Sequence, residues 1–193
     1  MKRFFVLGAL LLTTACLGPR EDLSAFFLLS PAPPPTDQAP VPVMVGIGPV
    51  TIPGYLDRPQ IVVRLSDNEV ALSETDRWAE PLGENVVRTL EENLAGLLPG
   101  SSYVAYPWYE SEAPDYAVAL DVRRFEVDSG GAVVLEGTWR LSRGGSEVDA
   151  RTVRITESAS GPDRAASVAA QSRALAELSR EIAGGVRAAR GGR

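Results

Sequence analysis

The sequence predicts an α+β domain, a mixed and largely antiparallel sheet with two main helices packed on one face. Three observations predict it. Residues 116–156 alternate apolar and polar positions between glycine turns, which is the period of half-buried strands. Two stretches, 82–97 and 164–186, repeat their apolar residues at helical spacing instead. The first helix falls between early strands and the later meander, and that order suits a mixed sheet with helices on one side.

The elements follow in chain order. Residues 25–30, AFFLLS, read as a short strand, and the proline-rich 31–42 as an extended, solvated connector. Residues 43–50 form a strand candidate ending at Gly48-Pro49. Residues 60–65 form a second and 69–72 a shorter third. Ser73 and Asp76 are candidate caps for the helix, with Pro81 suited to its first turn. Leu82, Val86, Leu90, Leu94 and Leu97 make its apolar stripe, and Pro99-Gly100 ends it. A short strand over 102–106 precedes the meander. Apolar residues change parity between Val122 and Phe125, which predicts a bulge near Arg123-Arg124. Gly130-Gly131 and Gly144-Gly145 mark hairpin turns. Asp163 should cap the last helix, whose stripe is Val168, Leu175, Leu178, Ile182 and Val186. Gly184-Gly185 should weaken its end, leaving 189–193 as a frayed tail. The domain itself is expected over 25–188.

The N-terminus sets the compartment. Lys2 and Arg3 precede an apolar run, Phe4 to Leu12, that is too short to span a bilayer. Small residues then lead to Cys16, the single cysteine. Residues 1–15 therefore read as a secretory signal peptide. With Cys16 next, the layout resembles a bacterial lipobox, which implies cleavage before Cys16, acylation of its sulfur and a lipidated tether over 16–24. Leu17, in place of aspartate, suits release to the outer membrane. About nine residues would then separate lipid from fold, holding the domain within roughly 30 Å of its membrane.

Composition excludes several functions. The formal charge is −6, and loss of Lys2 and Arg3 with the signal leaves 17 basic against 25 acidic residues, or −8. Nucleic acid, which calls for a basic stripe, is not an expected partner. The chain has no histidine, and Lys2 is its one lysine. Histidine-based triads, histidine metal sites and Schiff-base chemistry are therefore absent from the reading. No enzyme activity, cofactor, metal or catalytic residue is expected.

Two segments carry a resemblance. TIPGYLDRPQIVVR, residues 51–64, holds Pro53, Tyr55, Leu56, Asp57, Arg58, Pro59 and Gln60. Its Pro53-Gly54 has the order of a type II turn, with glycine taking positive φ. Pro59 biases Arg58 toward extended backbone, and Asp57 and Arg58 should point to opposite sides. RWAEPLGENVVRTLEENLAGLL, residues 77–98, holds Trp78, Glu80, Pro81 and Leu82. Together with AFFLLSPAP, YVAYPW and YAVALDVRRFEVD, these segments resemble the PqiC-type lipoproteins, auxiliary components of ABC-type and MCE transport systems. The resemblance implies a non-enzymatic, outer-membrane, periplasm-facing lipoprotein that docks or receives a lipid tunnel. It implies an MCE-domain tunnel protein and an inner-membrane permease component as partners, and ring-like homo-oligomers. The motif residues named above are then candidates for an interface or a fold motif. A lipid-binding carrier and a general envelope-assembly lipoprotein are the alternatives.

Overall fold

The computed structural model describes residues 23–192, so the signal peptide, Cys16 and most of the tether lie outside the described residues. Eight strands form one sheet: β1 (Ala25–Phe27), β2 (Met44–Thr51), β3 (Gln60–Ser66), β4 (Glu69–Trp78), β5 (Ser102–Ala105), β6 (Tyr116–Asp128), β7 (Ala132–Arg143) and β8 (Ser146–Ser158). Helix α1 (Leu82–Leu97) lies between β4 and β5, and α2 (Arg164–Gly191) follows β8. By residues paired, the sheet is largely antiparallel, through the long β6–β7 and β7–β8 ladders and the β3–β4 hairpin. The other four ladders, β1–β4, β2–β5, β2–β6 and β3–β6, are parallel. The α+β fold read from the sequence is the fold observed.

Strand β6 organises the sheet. One of its edges carries β7 from Ala117 to Val127. The other edge must therefore serve both remaining partners. Strand β2 runs along Tyr116–Asp121, and β3 joins at Val127–Asp128 in the same direction. The chain from β2 to β3 is thus one run beside β6, interrupted by residues 52–59. The ladder to β7 shifts register between Val122 and Arg124, where the change of parity places a bulge.

Both helices cover one face. Leu90, Leu94, Leu175, Leu178 and Ile182 are fully buried against Val118, Leu120, Leu141 and Trp139. Asp163 caps α2 as expected, its carboxylate accepting from Ala166 N at 2.6 Å. The opposite face of the β6–β8 meander is polar. Thr138 and Thr152 hydroxyls meet across it at 3.0 Å, and Arg154 pairs with Glu136 at 2.6 Å.

Strand β2 does not end at Gly48-Pro49 but runs through it to Thr51, its register against β6 shifting between Ile47 and Val50. Three further expectations need correction. Strand β4 runs on to Trp78, so Ser73 and Asp76 do not cap α1. Pairing explains the extra length: Arg77 lies opposite both Gln60 of β3 and Phe26 of β1. The Ser73 hydroxyl instead bonds Asp76 within the strand, and Asp76 holds Arg164 of α2 at 3.1 Å. The α1 cap position is Pro81, extended at ψ 132°, with no side-chain cap bond. Second, the connector is exposed over 33–40 but anchored on both sides. Buried Asn85 takes Leu29 N at 3.2 Å, Asn93 takes Ala32 N at 2.8 Å, and Val41 N donates to Pro99 O at 2.8 Å. An extended segment lacks internal partners for its N–H groups, and the two asparagines supply them.

Third, Gly184-Gly185 does not weaken α2 into an early end: the helix runs through both glycines to Gly191. A Cβ on Gly185 would stand 2.8 Å from the ring of fully buried Trp139. The glycine is a seat for that ring. Gly184 faces open space. Gly184→Ala should therefore stabilise by up to ~1 kcal/mol through helix propensity. Gly185→Ala should lose roughly 1–3 kcal/mol to overpacking, offset in part by the same propensity gain. Paired thermal melts, with opposite shifts in Tm, check this.

Candidate functional site

The two sequence motifs meet. Loop 52–59 fills the notch where β6 passes from β2 to β3, and its end pairs with the start of the second motif. Pro59 O accepts from Trp78 N at 2.7 Å, and Gln60 lies opposite Arg77. Trp78 is buried beside Phe27, and Ala79 N donates to Phe27 O at 2.9 Å. Glu80 pairs with Arg88 at 3.0 Å, and Arg88 also reaches Asn85 Oδ1 at 2.9 Å and Leu29 O at 3.3 Å. Leu82 is buried. The second motif therefore ties the first strand, the hairpin and α1 together.

The loop is not the expected type II turn. Pro53 is its first residue, accepting through its carbonyl from Leu56 N at 2.8 Å and Asp57 N at 3.1 Å. Gly54 has no positive φ. Leu56 is buried and pins the loop to the core. Asp57 and Arg58 do not pair with each other: Arg58 Nη2 turns back to Gly54 O at 3.4 Å, and Asp57 is exposed.

Tyr55 closes the notch. Its hydroxyl donates to Glu126 Oε2 at 2.8 Å and lies 3.3 Å from Arg123 O, at the bulge. Glu126 is 1% exposed, a charge that must be paired to be tolerated there. Arg64 Nε and Arg124 Nε both donate to its Oε1, and Phe125 N donates to Oε2 at 3.0 Å. Burial alone would raise the Glu126 carboxyl. The hydrogen bonds from Arg64, Tyr55 and Arg124 and the charge of Arg64 outweigh it, and the pKa lies below the ordinary carboxylate value. The Tyr55 hydroxyl is pushed up to about 12, by burial first and then by the Glu126 carboxylate. Sequence reasoning missed Glu126. One signal was available, an acid flanked by apolar Phe125 and Val127 just past the change of parity.

Beside the notch, a cleft of about 570 Å³ opens between α1, β2 and β5. Ile47, Val50, Val87 and Tyr106 give it apolar walls, and Asp57, Glu84 and Glu91 an acidic rim with Arg88 and Pro81. Tyr106 is 55% exposed. Such a surface can bind, and its rim suits a basic partner. Of the motif residues, Asp57 and Pro81 reach the cleft, whereas Tyr55, Leu56, Trp78 and Leu82 hold the frame that positions them. Among the described residues, no group of three or more His, Cys, Asp or Glu side chains converges to hold a metal.

The sequence profile of the ABC-type transport auxiliary lipoprotein component matches residues 27–183. The chain belongs to this family. Over 96 residues this auxiliary lipoprotein is 31% identical to the intermembrane transport lipoprotein PqiC of Escherichia coli strain K12, a match covering 50% of each chain. The same figures hold for PqiC of Shigella flexneri. The chain thus spans about half the length of the curated relatives it matches. Among solved structures, an uncharacterized protein superposes with TM-score 0.70 at 23% identity, covering 83% of this chain and 96% of its own. A protein from Xanthomonas campestris superposes with TM-score 0.64 at 27% identity, covering 83% and 93%. The first of these likenesses bears on the fold alone. None of the helices among the described residues is long and apolar enough to cross a membrane.

The Glu126 cluster sets a pH dependence. A carboxyl whose folded pKa is depressed contributes stability that is fully present above its unfolded pKa, near 4.5, and is lost as pH falls through the lower folded value. Glu126→Gln should flatten stability against pH below 4.5. At neutral pH it should cost less than the roughly 3–5 kcal/mol of a fully buried broken pair, because Arg64 and Arg124 remain partly exposed. Urea unfolding of both proteins across that range checks it.

Proposed function

We propose that this protein is a non-enzymatic, membrane-anchored subunit of an MCE-type inter-membrane lipid transport system. It docks or receives the periplasm-spanning tunnel protein at the outer membrane, anchored through acylated Cys16. An inner-membrane permease component completes the system, and the lipoprotein works as a homo-oligomer, in ring form. Family membership supports the transport role, as does the name of the PqiC relatives, which are intermembrane transport lipoproteins. The observation that carries the docking reading is the convergence of both motifs on one acid-rimmed, open cleft.

A lipid carrier would need space between sheet and helices. That space is filled by Leu90, Leu94, Trp139, Leu175, Leu178 and Ile182, all fully buried. The packing favours docking over carriage. Arg58 serves the corner through its bond to Gly54 O, whereas exposed Asp57 stands on the cleft rim, open to the tunnel protein.

Asp57→Arg with Glu84→Arg reverses the rim charge at two exposed positions. Binding of the MCE-domain protein should fall at least about tenfold, the equivalent of ~1.4 kcal/mol. Tm should drop only slightly, reflecting the roughly 0.3–1 kcal/mol that a reversed charge in the first turn of α1 costs. Unaltered binding by the folded variant would remove the cleft from the interface. Cys16→Ser should release the protein from the outer-membrane fraction; recovery of the native protein solely with inner membranes would refute the outer-membrane placement.

A further inference from the structure

We propose that Leu23, Phe26 and Leu28 form a membrane-contacting patch that seats the domain on the bilayer holding its N-terminus. The inference rests on the anchoring of Cys16.

From Phe26 in β1 to Leu29 just beyond it, the chain alternates. Phe27 packs on the core and Leu29 is 2% exposed. Phe26 and Leu28 point the other way, 64% and 47% exposed, and Leu23 before them is 74% exposed. Phe26 and Leu28 share the outward side, and Leu23, just before the strand, leaves a third large apolar side chain open within six consecutive residues, where single ones would call for no explanation. An apolar groove of about 370 Å³ continues it, between Leu28, Pro31 and Pro33 on one side and Ala165 and Ala169 of α2 on the other.

The occupant follows from the chain. Six residues, 17–22, separate Cys16 from Leu23. Fully extended, the span from Cys16 to Leu23 is at most ~23–25 Å. The patch is where the chain enters the fold, so it is the part of the domain tied most closely to the bilayer. A second copy of this chain fits less well. Three partly exposed side chains supply on the order of a few hundred Å², against about 800 Å² per partner in a stable interface. The mature charge, 17 basic against 25 acidic residues, gives no electrostatic pull toward anionic lipid. The contact is therefore apolar, and it forms on neutral lipid.

The test uses the full, acylated protein carrying Phe26→Trp, reconstituted in phosphatidylcholine vesicles with brominated acyl chains. Wild-type protein supplies the background of Trp78, Trp108 and Trp139. Tyr109→Trp, at a site 77% exposed on another part of the fold, supplies a control. Side chains at a bilayer interface lie roughly 5–10 Å into the headgroup and acyl boundary, within reach of the bromines. After subtraction of the background, emission from the Phe26→Trp protein should drop by about half or more and shift to the blue, unchanged by added salt. The Tyr109→Trp signal should not change. An unquenched Phe26→Trp signal on a protein whose mass confirms acylation overturns the patch and leaves the anchor standing. Unacylated Cys16 overturns both. A blue-shifted but unquenched Phe26→Trp signal, with self-association shown by chemical cross-linking on the vesicles, assigns the patch to a second copy and overturns the membrane contact.

Discussion

One buried carboxylate sits where a single long strand must serve two neighbours along the same edge. Strand β6 passes from β2 to β3 with a bulge between, and a gap in a sheet edge exposes backbone groups that need partners. Glu126 gathers the gap. It takes Arg64 from β3, Arg124 from the bulge and Tyr55 from the loop, and it accepts from the backbone N–H beside it. Without that charge, two arginines and a tyrosine hydroxyl would converge on nothing. The position of loop 52–59, and therefore of Asp57 at the cleft, depends on it.

The same economy operates on the helical side. Asn85 and Asn93 lie on the buried stripe of α1 among leucines, yet each has a backbone donor to satisfy. Asn93 also donates through Nδ2 to Ser179 of α2 at 3.2 Å. The connector, α1 and α2 are thus held by polar contacts at fixed points of an otherwise apolar seam. Apolar contacts tolerate sliding, whereas an amide that must meet one N–H does not.

Much of this is legible in the sequence, and the pattern of what is not is physical. The β6–β8 meander, its bulge and turns, and the Asp163 cap announce themselves through period and local chemistry. So do both helices. Strand β4 reads too short because its exposed alternation is weak and its far end is fixed by β1, about fifty residues earlier, and by the start of β3. Asn85 and Asn93 look like breaks in a stripe, since their partners lie on the connector, more than fifty residues earlier in the chain. Gly185 looks like a helix breaker, because the Trp139 ring it accommodates comes from β7, far from the helix in sequence. Gly54 looks like a turn glycine from its neighbour alone. The motif residues stand out as a set, but their division into frame and cleft needs the fold.

The interrupted run beside β6 has a consequence for variation. Strands β2 and β3 each take their register from β6 directly, not from one another. The segment between them is an exchangeable module: residues could be added or removed at its tip without slipping either strand, provided a side chain still reaches Glu126. A fold built this way can retune what it presents beside the cleft while its sheet stays the same.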